Sequence, residues 1–230
     1  EQQEQKLSRA LKSRHITMIA IGGAIGTGLF LGSGSAIHAA GPSIILSYLI
    51  VGIFCFFMMR ALGELILADT TKHSIIESAK EYLGDRMEFV AGWTYWSCWL
   101  VNMINVGLFG EMESWFAMIK VIAILALIVI GLIMVFVHFP VKGADPASFT
   151  NLWSHGGFFP KGILGFLMSF QMVVFAFVGI EMVGLTAGET KDPNSDIPKA
   201  INTLPVRIGL FYIGSMIAMM SVYPWNMIKT

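Results

Sequence analysis

Ile21-Gly22-Gly23-Ala24-Ile25-Gly26-Thr27-Gly28-Leu29-Phe30-Leu31-Gly32-Ser33-Gly34 decides how this chain is read. The stretch lies inside an apolar run of membrane-span length, about 16–40, yet six of its fourteen residues are glycine. Each glycine costs a helix interior roughly 1 kcal/mol against alanine. A simple anchor has no use for so many. Two readings fit. Small residues let neighbouring helices approach closely. Alternatively, the helix is broken at mid-membrane, and its freed N–H and C=O groups line a cavity for a polar solute.

Outward from this stretch, the composition fixes the class. The 230 residues are 55% hydrophobic and only 13% charged, about half the roughly 25% charge of soluble domains. Mean hydropathy is +0.70. An all-α polytopic membrane protein is expected. The formal net charge of zero offers no basic surface for nucleic acid. Cys55 and Cys98 both lie in apolar runs and read as small hydrophobes rather than a disulfide pair or metal ligands. The five histidines, His15, His38, His73, His138 and His155, sit in tails, turns or loops without metal-binding spacing.

Residues 1–15 form a polar tail with Lys6, Arg9, Lys12 and Arg14, which places this end in the cytoplasm and argues against a cleavable leader. Membrane helices are expected at 16–40, 43–67, from about 89, at 115–137, at 161–187 and at 205–222, six in all. Ser74–Leu83 carries the period of a short helix outside the membrane. Residues 138–160 read as an extracellular loop, and 188–204 as a polar connection. Counting six spans puts the basic residues of the 188–204 region on the side opposite the basic tail, against the charge bias of such proteins. One more span between Trp99 and Lys120 removes the conflict.

Two charges lie within apolar runs. Lys120 reads either as a lysine snorkelling to the interface or as an intramembrane amine able to carry a proton. Glu181 follows Phe175-Ala176-Phe177-Val178-Gly179-Ile180 and is an expensive carboxylate unless it faces a cavity or partner. This second glycine-interrupted span pairs with the first, a pattern that points to a midplane binding site. The phenylalanines also suit plain packing. No phosphate loop, dinucleotide fingerprint, nucleophile elbow or catalytic triad stands out, so an enzyme is not expected.

Several strings resemble the bacterial amino-acid permeases of the amino acid–polyamine–organocation superfamily. They are Arg14-His15-Ile16 with Ile21 to Phe30 and Ala40-Gly41-Pro42-Ser43, Met59-Arg60-Ala61-Leu62-Gly63-Glu64-Leu65, Gly92-Trp93-Thr94-Tyr95-Trp96, Phe109-Gly110-Glu111-Met112-Glu113, Phe175 to Glu181, and Ala187-Gly188-Glu189-Thr190-Lys191-Asp192-Pro193. His155 to Gly162 and Met220 to Trp225 look most like the D-serine/D-alanine/glycine permeases. The resemblance implies an inverted-repeat transporter fold of the LeuT type, present here in part. Helices one to three and five of the first repeat would occupy 16–137, and helices six and seven 161–230. The helix-four region is missing near 100/101.

It also implies proton-coupled uptake of glycine, alanine or serine, possibly as D-forms, across the cell membrane, with no cofactor. A transporter-like sensor or scaffold is the alternative. Ile25, Gly26, Thr27 and Gly28 would bind the substrate carboxylate. Phe175, Ala176, Phe177 and Ile180 would hold the ammonium and close over it. Lys120 and Glu181 would handle the proton. The implied partners are the amino acid, protons and lipid; oligomeric state stays open.

Overall fold

The computed structural model describes residues 27–68, 75–106, 112–178, 180 and 192–228, and these are helical with no strand among them. In chain order the helices are α1 (Thr27–Ala40), α2 (Ile44–Ala68), α3 (Ile75–Leu83), α4 (Asp85–Val106), α5 (Met112–Phe136), α6 (Gly162–Ala176) and α7 (Pro193–Asn202). The final span is composite. It comprises α8 (Leu204–Arg207), a π-helical segment (Ile208–Gly214) and α9 (Ser215–Val222). Among the described residues, three stretches are long and apolar enough to cross a membrane: Ser33–Ala68, Met118–Phe136 and Ile197–Val222. The first, at 36 residues, is nearly twice the roughly 20 that one crossing needs, and it divides at the turn Gly41–Ser43.

That turn needs its glycine. Gly41 has φ +63, and a Cβ there would meet Pro160 Cγ at 2.4 Å. The chain enters α2 with Ser43 Oγ donating to the Ala40 carbonyl at 2.8 Å.

Helix directions follow from pairs of close approaches. A Cβ on Gly165 would lie 2.5 Å from the Ala39 carbonyl oxygen, so the start of α6 meets the end of α1. The two helices pack along their lengths, which requires them to run antiparallel. On α2, Gly52 abuts Ile208 and Gly63 abuts Ile201, so the last span runs antiparallel to α2. Gly131 on α5 abuts Ala218, while Gly214 abuts Ile128, so α5 runs parallel to the last span. α1, α5 and the last span therefore end on one side, and α2 and α6 start there.

The 138–160 connection closes that side. Asn151 Nδ2 donates to the carbonyls of Pro146 and Ser221, and Trp225 Nε1 donates to the His155 carbonyl at 2.8 Å. On the opposite side the sequence suggested only a polar connection at 188–204, but residues 193–202 form helix α7. Its signal was present: Pro193 opens it, and Ile197, Ala200 and Ile201 share its buried face. Arg207, at the start of the last span, is 6% exposed.

α3 and α4 stand apart from this bundle. They pack chiefly on each other and are tied by Lys80 Nζ to Glu88 Oε2 at 2.7 Å. That hydrogen bond, with the nearby charges of Glu88 and Asp85, holds the Lys80 ammonium above the usual lysine range. Phe89, Trp93, Trp96 and Leu100 on α4 are exposed.

Candidate functional site

The α6 helix ends at Ala176, inside the glycine-bearing run that the sequence singled out. α6 has 15 residues, about 22 Å at 1.5 Å per residue, well short of a roughly 30 Å hydrocarbon core. After Ala176 the backbone tightens into three-residue turns. Phe177 N–H donates to Val174 O at 3.1 Å, Val178 N–H to Phe175 O at 3.2 Å, and Ile180 N–H to Phe177 O at 3.2 Å. The Ala176 carbonyl instead accepts from the Tyr212 hydroxyl at 3.0 Å.

The antiparallel packing of α1 and α6 sets the depth of this break. From the Ala39–Gly165 contact, Thr27 lies twelve residues back along α1 and Ala176 eleven residues on along α6. At 1.5 Å per residue these distances are about 18 Å and about 16 Å. Thr27 on α1 and the Ala176 end of α6 are thus level.

The surroundings of the break are aromatic and buried. Phe177 stacks on Tyr212 with ring centroids 4.8 Å apart and an interplanar angle of 13°. Tyr48 of α2 lies 5.3 Å from Tyr212 and 6.1 Å from Phe177. Tyr48, Ala176, Phe177, Ile180 and Tyr212 are each at most 3% exposed. One turn deeper, Ser47 Oγ and Ser169 Oγ share a hydrogen bond of 2.7 Å, and Ser169 Oγ also donates to Phe166 O. These serines let α2 and α6 meet with polar groups satisfied.

The expected site residues divide accordingly. Ala176, Phe177 and Ile180 come together in this cluster. Phe175, expected as an aromatic gate, is 61% exposed; at 100° per residue, the face that buries Val173, Ala176 and Phe177 turns Phe175 away. Thr27 and Gly28, expected in unwound backbone, belong to helix α1. Their N–H groups still fall in the first turn described. Ile25, Gly26 and Glu181 lie outside the described residues. Lys120 is half-buried on α5, which packs chiefly against the last span rather than α1 or α6. Sequence reading missed Tyr48, Tyr212, Ser47 and Ser169. Their signal, lone polar groups in apolar spans, is common and has meaning only once partners are known. Among the described residues no cluster of metal-binding side chains occurs.

The model of the amino acid permease family matches residues 15–105 and 99–230. The chain belongs to the amino acid permease family. It is 53% identical to the amino-acid permease AapA of Bacillus subtilis over 263 aligned residues, covering 99% of this chain and 57% of that protein. It is 54% identical to the transporter YdgF of the same organism, covering 98% of the chain and 57% of the relative. Identity to the D-serine/D-alanine/glycine transporter of Escherichia coli K12 is 48%, over 97% of this chain and 55% of the relative. No solved structure matches. The permease chain thus spans little more than half the length of these relatives. Its family is one of transporters, not enzymes, in keeping with its apolar helices.

Two details concern the middle of this permease-family chain. The alignments run to 263 residues while the chain has 230. The family model also matches in two pieces that meet between residues 99 and 105.

Proposed function

We propose that this permease chain forms the substrate-binding half of a proton-coupled importer of small neutral amino acids. The observation that carries the reading is the level placement of Thr27 on α1 and the Ala176 end of α6. N–H groups near Ile25, Gly26, Thr27 and Gly28 would take the carboxylate, favoured by the positive helix end. Carbonyls near Ala176 and Phe177 would take the ammonium, and Phe177 would bound the side-chain pocket. A tight aromatic enclosure favours glycine, alanine or serine over larger substrates. Two relatives, a D-serine/D-alanine/glycine transporter and a DL-alanine permease, support the same size class and admit D-forms. Lys120 and Glu181 remain the candidates for moving the proton, because intramembrane ionisable groups commonly do so.

The 138–160 loop would face outward and the basic N-terminal tail the cytoplasm. α2 ends on the tail side, and α5, parallel to α1, must start there. The chain between them therefore crosses an even number of times. α4 has 22 residues, about 33 Å of helix and enough for one crossing. We infer that the working transporter has a second crossing between α4 and α5, where the family-model match divides. It would cover the exposed aromatic face of α4.

Uptake of labelled glycine and D- and L-alanine by the full-length protein in proteoliposomes tests the reading. Accumulation under an inward proton gradient, abolished by a protonophore, is expected. Uptake indifferent to the gradient removes proton coupling, and no uptake of any neutral amino acid removes the function. Thr27→Leu should crowd the carboxylate site and abolish uptake. Lys120→Ala should abolish accumulation while sparing exchange.

A further inference from the structure

The Ala176 carbonyl sits at the break of α6, and its bond to Tyr212 is not a feature of ordinary helix ending. Where an α-helix stops, its last carbonyls lose their intrahelical partners. Here the three-residue turns use the carbonyls of Val174, Phe175 and Phe177, and Ala176 is served by a side chain from another span. A carbonyl oxygen carries two lone pairs, so one hydroxyl donor leaves it able to accept a second hydrogen bond.

Tyr212 reaches this position because its own helix is locally widened. It lies in the π-helical segment Ile208–Gly214, a distortion found often at functional sites. Ser215 Oγ donates to the Tyr212 carbonyl at 3.0 Å and also to the Phe211 carbonyl, satisfying acceptors that the widened turn displaces. The Tyr212 ring is then clamped between Phe177 and Tyr48. Its hydroxyl direction is fixed by packing from both sides.

We propose that Tyr212 is a positioning residue for amino-acid recognition: its hydroxyl holds the Ala176 carbonyl in the direction that accepts the substrate ammonium, and its ring holds Phe177 beside it. The proposal rests on the reading of the α6 break as the substrate site. A bond that serves only to satisfy a buried hydroxyl would affect the fold without distinguishing ligands by their amino group.

Tyr212→Phe keeps the aromatic stack and removes the donor. In the full-length protein the half-saturation concentration for alanine should rise about tenfold, as for loss of one organised hydrogen bond to a charged group, with maximal uptake largely kept. Inhibition by propionate, which has the carboxylate but no ammonium, should not change. An unchanged alanine half-saturation, or equal weakening for alanine and propionate, overturns the proposal. The Thr27→Leu variant separates the two levels of the argument. If it abolishes uptake while Tyr212→Phe has no effect, only the role of Tyr212 fails; if neither changes uptake, the site itself is wrongly located. A measurement on the native side chain guards against a variant that does not fold. Ala176–Phe177 is the one Ala–Phe pair in these 230 residues. Carbonyl-13C alanine with 15N phenylalanine therefore reports its carbonyl, whose resonance should move on adding D-alanine and stay fixed on adding propionate. Equal responses to both would again overturn the proposal.

Discussion

The broken end of α6 and the α3–α4 pair are both rich in aromatic residues, yet they are organised in opposite ways. Around Ala176, three rings from three helices enclose one another, and the polar atoms are bonded within the cluster. Along α4, Phe89, Trp93 and Trp96 touch mainly each other and border an open cavity of about 560 Å³ with Ile76, Asp85 and Glu88. The first arrangement is complete without further chain. The second presents apolar surface that lipid or another helix must cover. Aromatic content alone therefore says little: a ring fixes structure where helices converge and supplies only surface where they do not.

The contrast can be broken by substitution. The largest effect is expected at Gly165, where a side chain would drive α6 off the Ala39 carbonyl. Gly165→Leu should lower stability by about 3 kcal/mol or prevent folding, because backbone cannot give way as a side-chain tip can; thermal unfolding in detergent checks this. A native-like transition would show that the α1–α6 contact is looser than described. Next, Ser47→Ala leaves Ser169 bonded to Phe166 O, so the loss should be about 1 kcal/mol. A double-mutant cycle with Ser169→Ala should return a coupling of similar size; a zero coupling would show that the two helices do not rely on this bond.

On the other side, Trp93→Ala in the 230-residue chain should change stability by no more than about 0.5 kcal/mol, as for exposed positions. The same substitution in the full-length protein sharpens the comparison. If an added span covers α4 there, the loss should grow to about 2 kcal/mol, typical of uncovering a buried aromatic. Equal small effects in both would leave α4 lipid-facing. The smallest effect is expected for Lys80→Gln, since exposed ion pairs contribute little. Its partner Glu88 raises the Lys80 pKa, so whatever the pair contributes is fully present below the ordinary lysine range and is lost only as pH rises through the raised value. A stability profile flat across neutral pH, in wild type and variant alike, is the expected result.

Much of this was legible in the chain. Continuous apolar runs translate directly into helices, so the expected 43–67 is Ile44–Ala68 and 115–137 is Met112–Phe136. The short 3.6-residue pattern at Ser74–Leu83 became α3 almost unchanged. The α6 helix ends at Ala176 in three-residue turns at Phe177 and Val178. Helix α7 escaped notice because two prolines and two charges masked its apolar stripe. Elsewhere in the chain, Gly52, Gly63, Gly131 and Gly165 pack helices.

By itself, then, the sequence determined the membrane class and the limits of the continuous apolar helices α2 and α5, since these follow from hydropathy. Only the tertiary structure decided that α1 runs against α6 so that Thr27 and Ala176 are level, that Phe177 rather than Phe175 enters the aromatic cluster, and that Tyr212 serves the Ala176 carbonyl. Those features depend on which helices meet, at what height and on which face. Tyr212 lies 36 residues from Ala176, and no local pattern along a chain of apolar helices records that distance being closed.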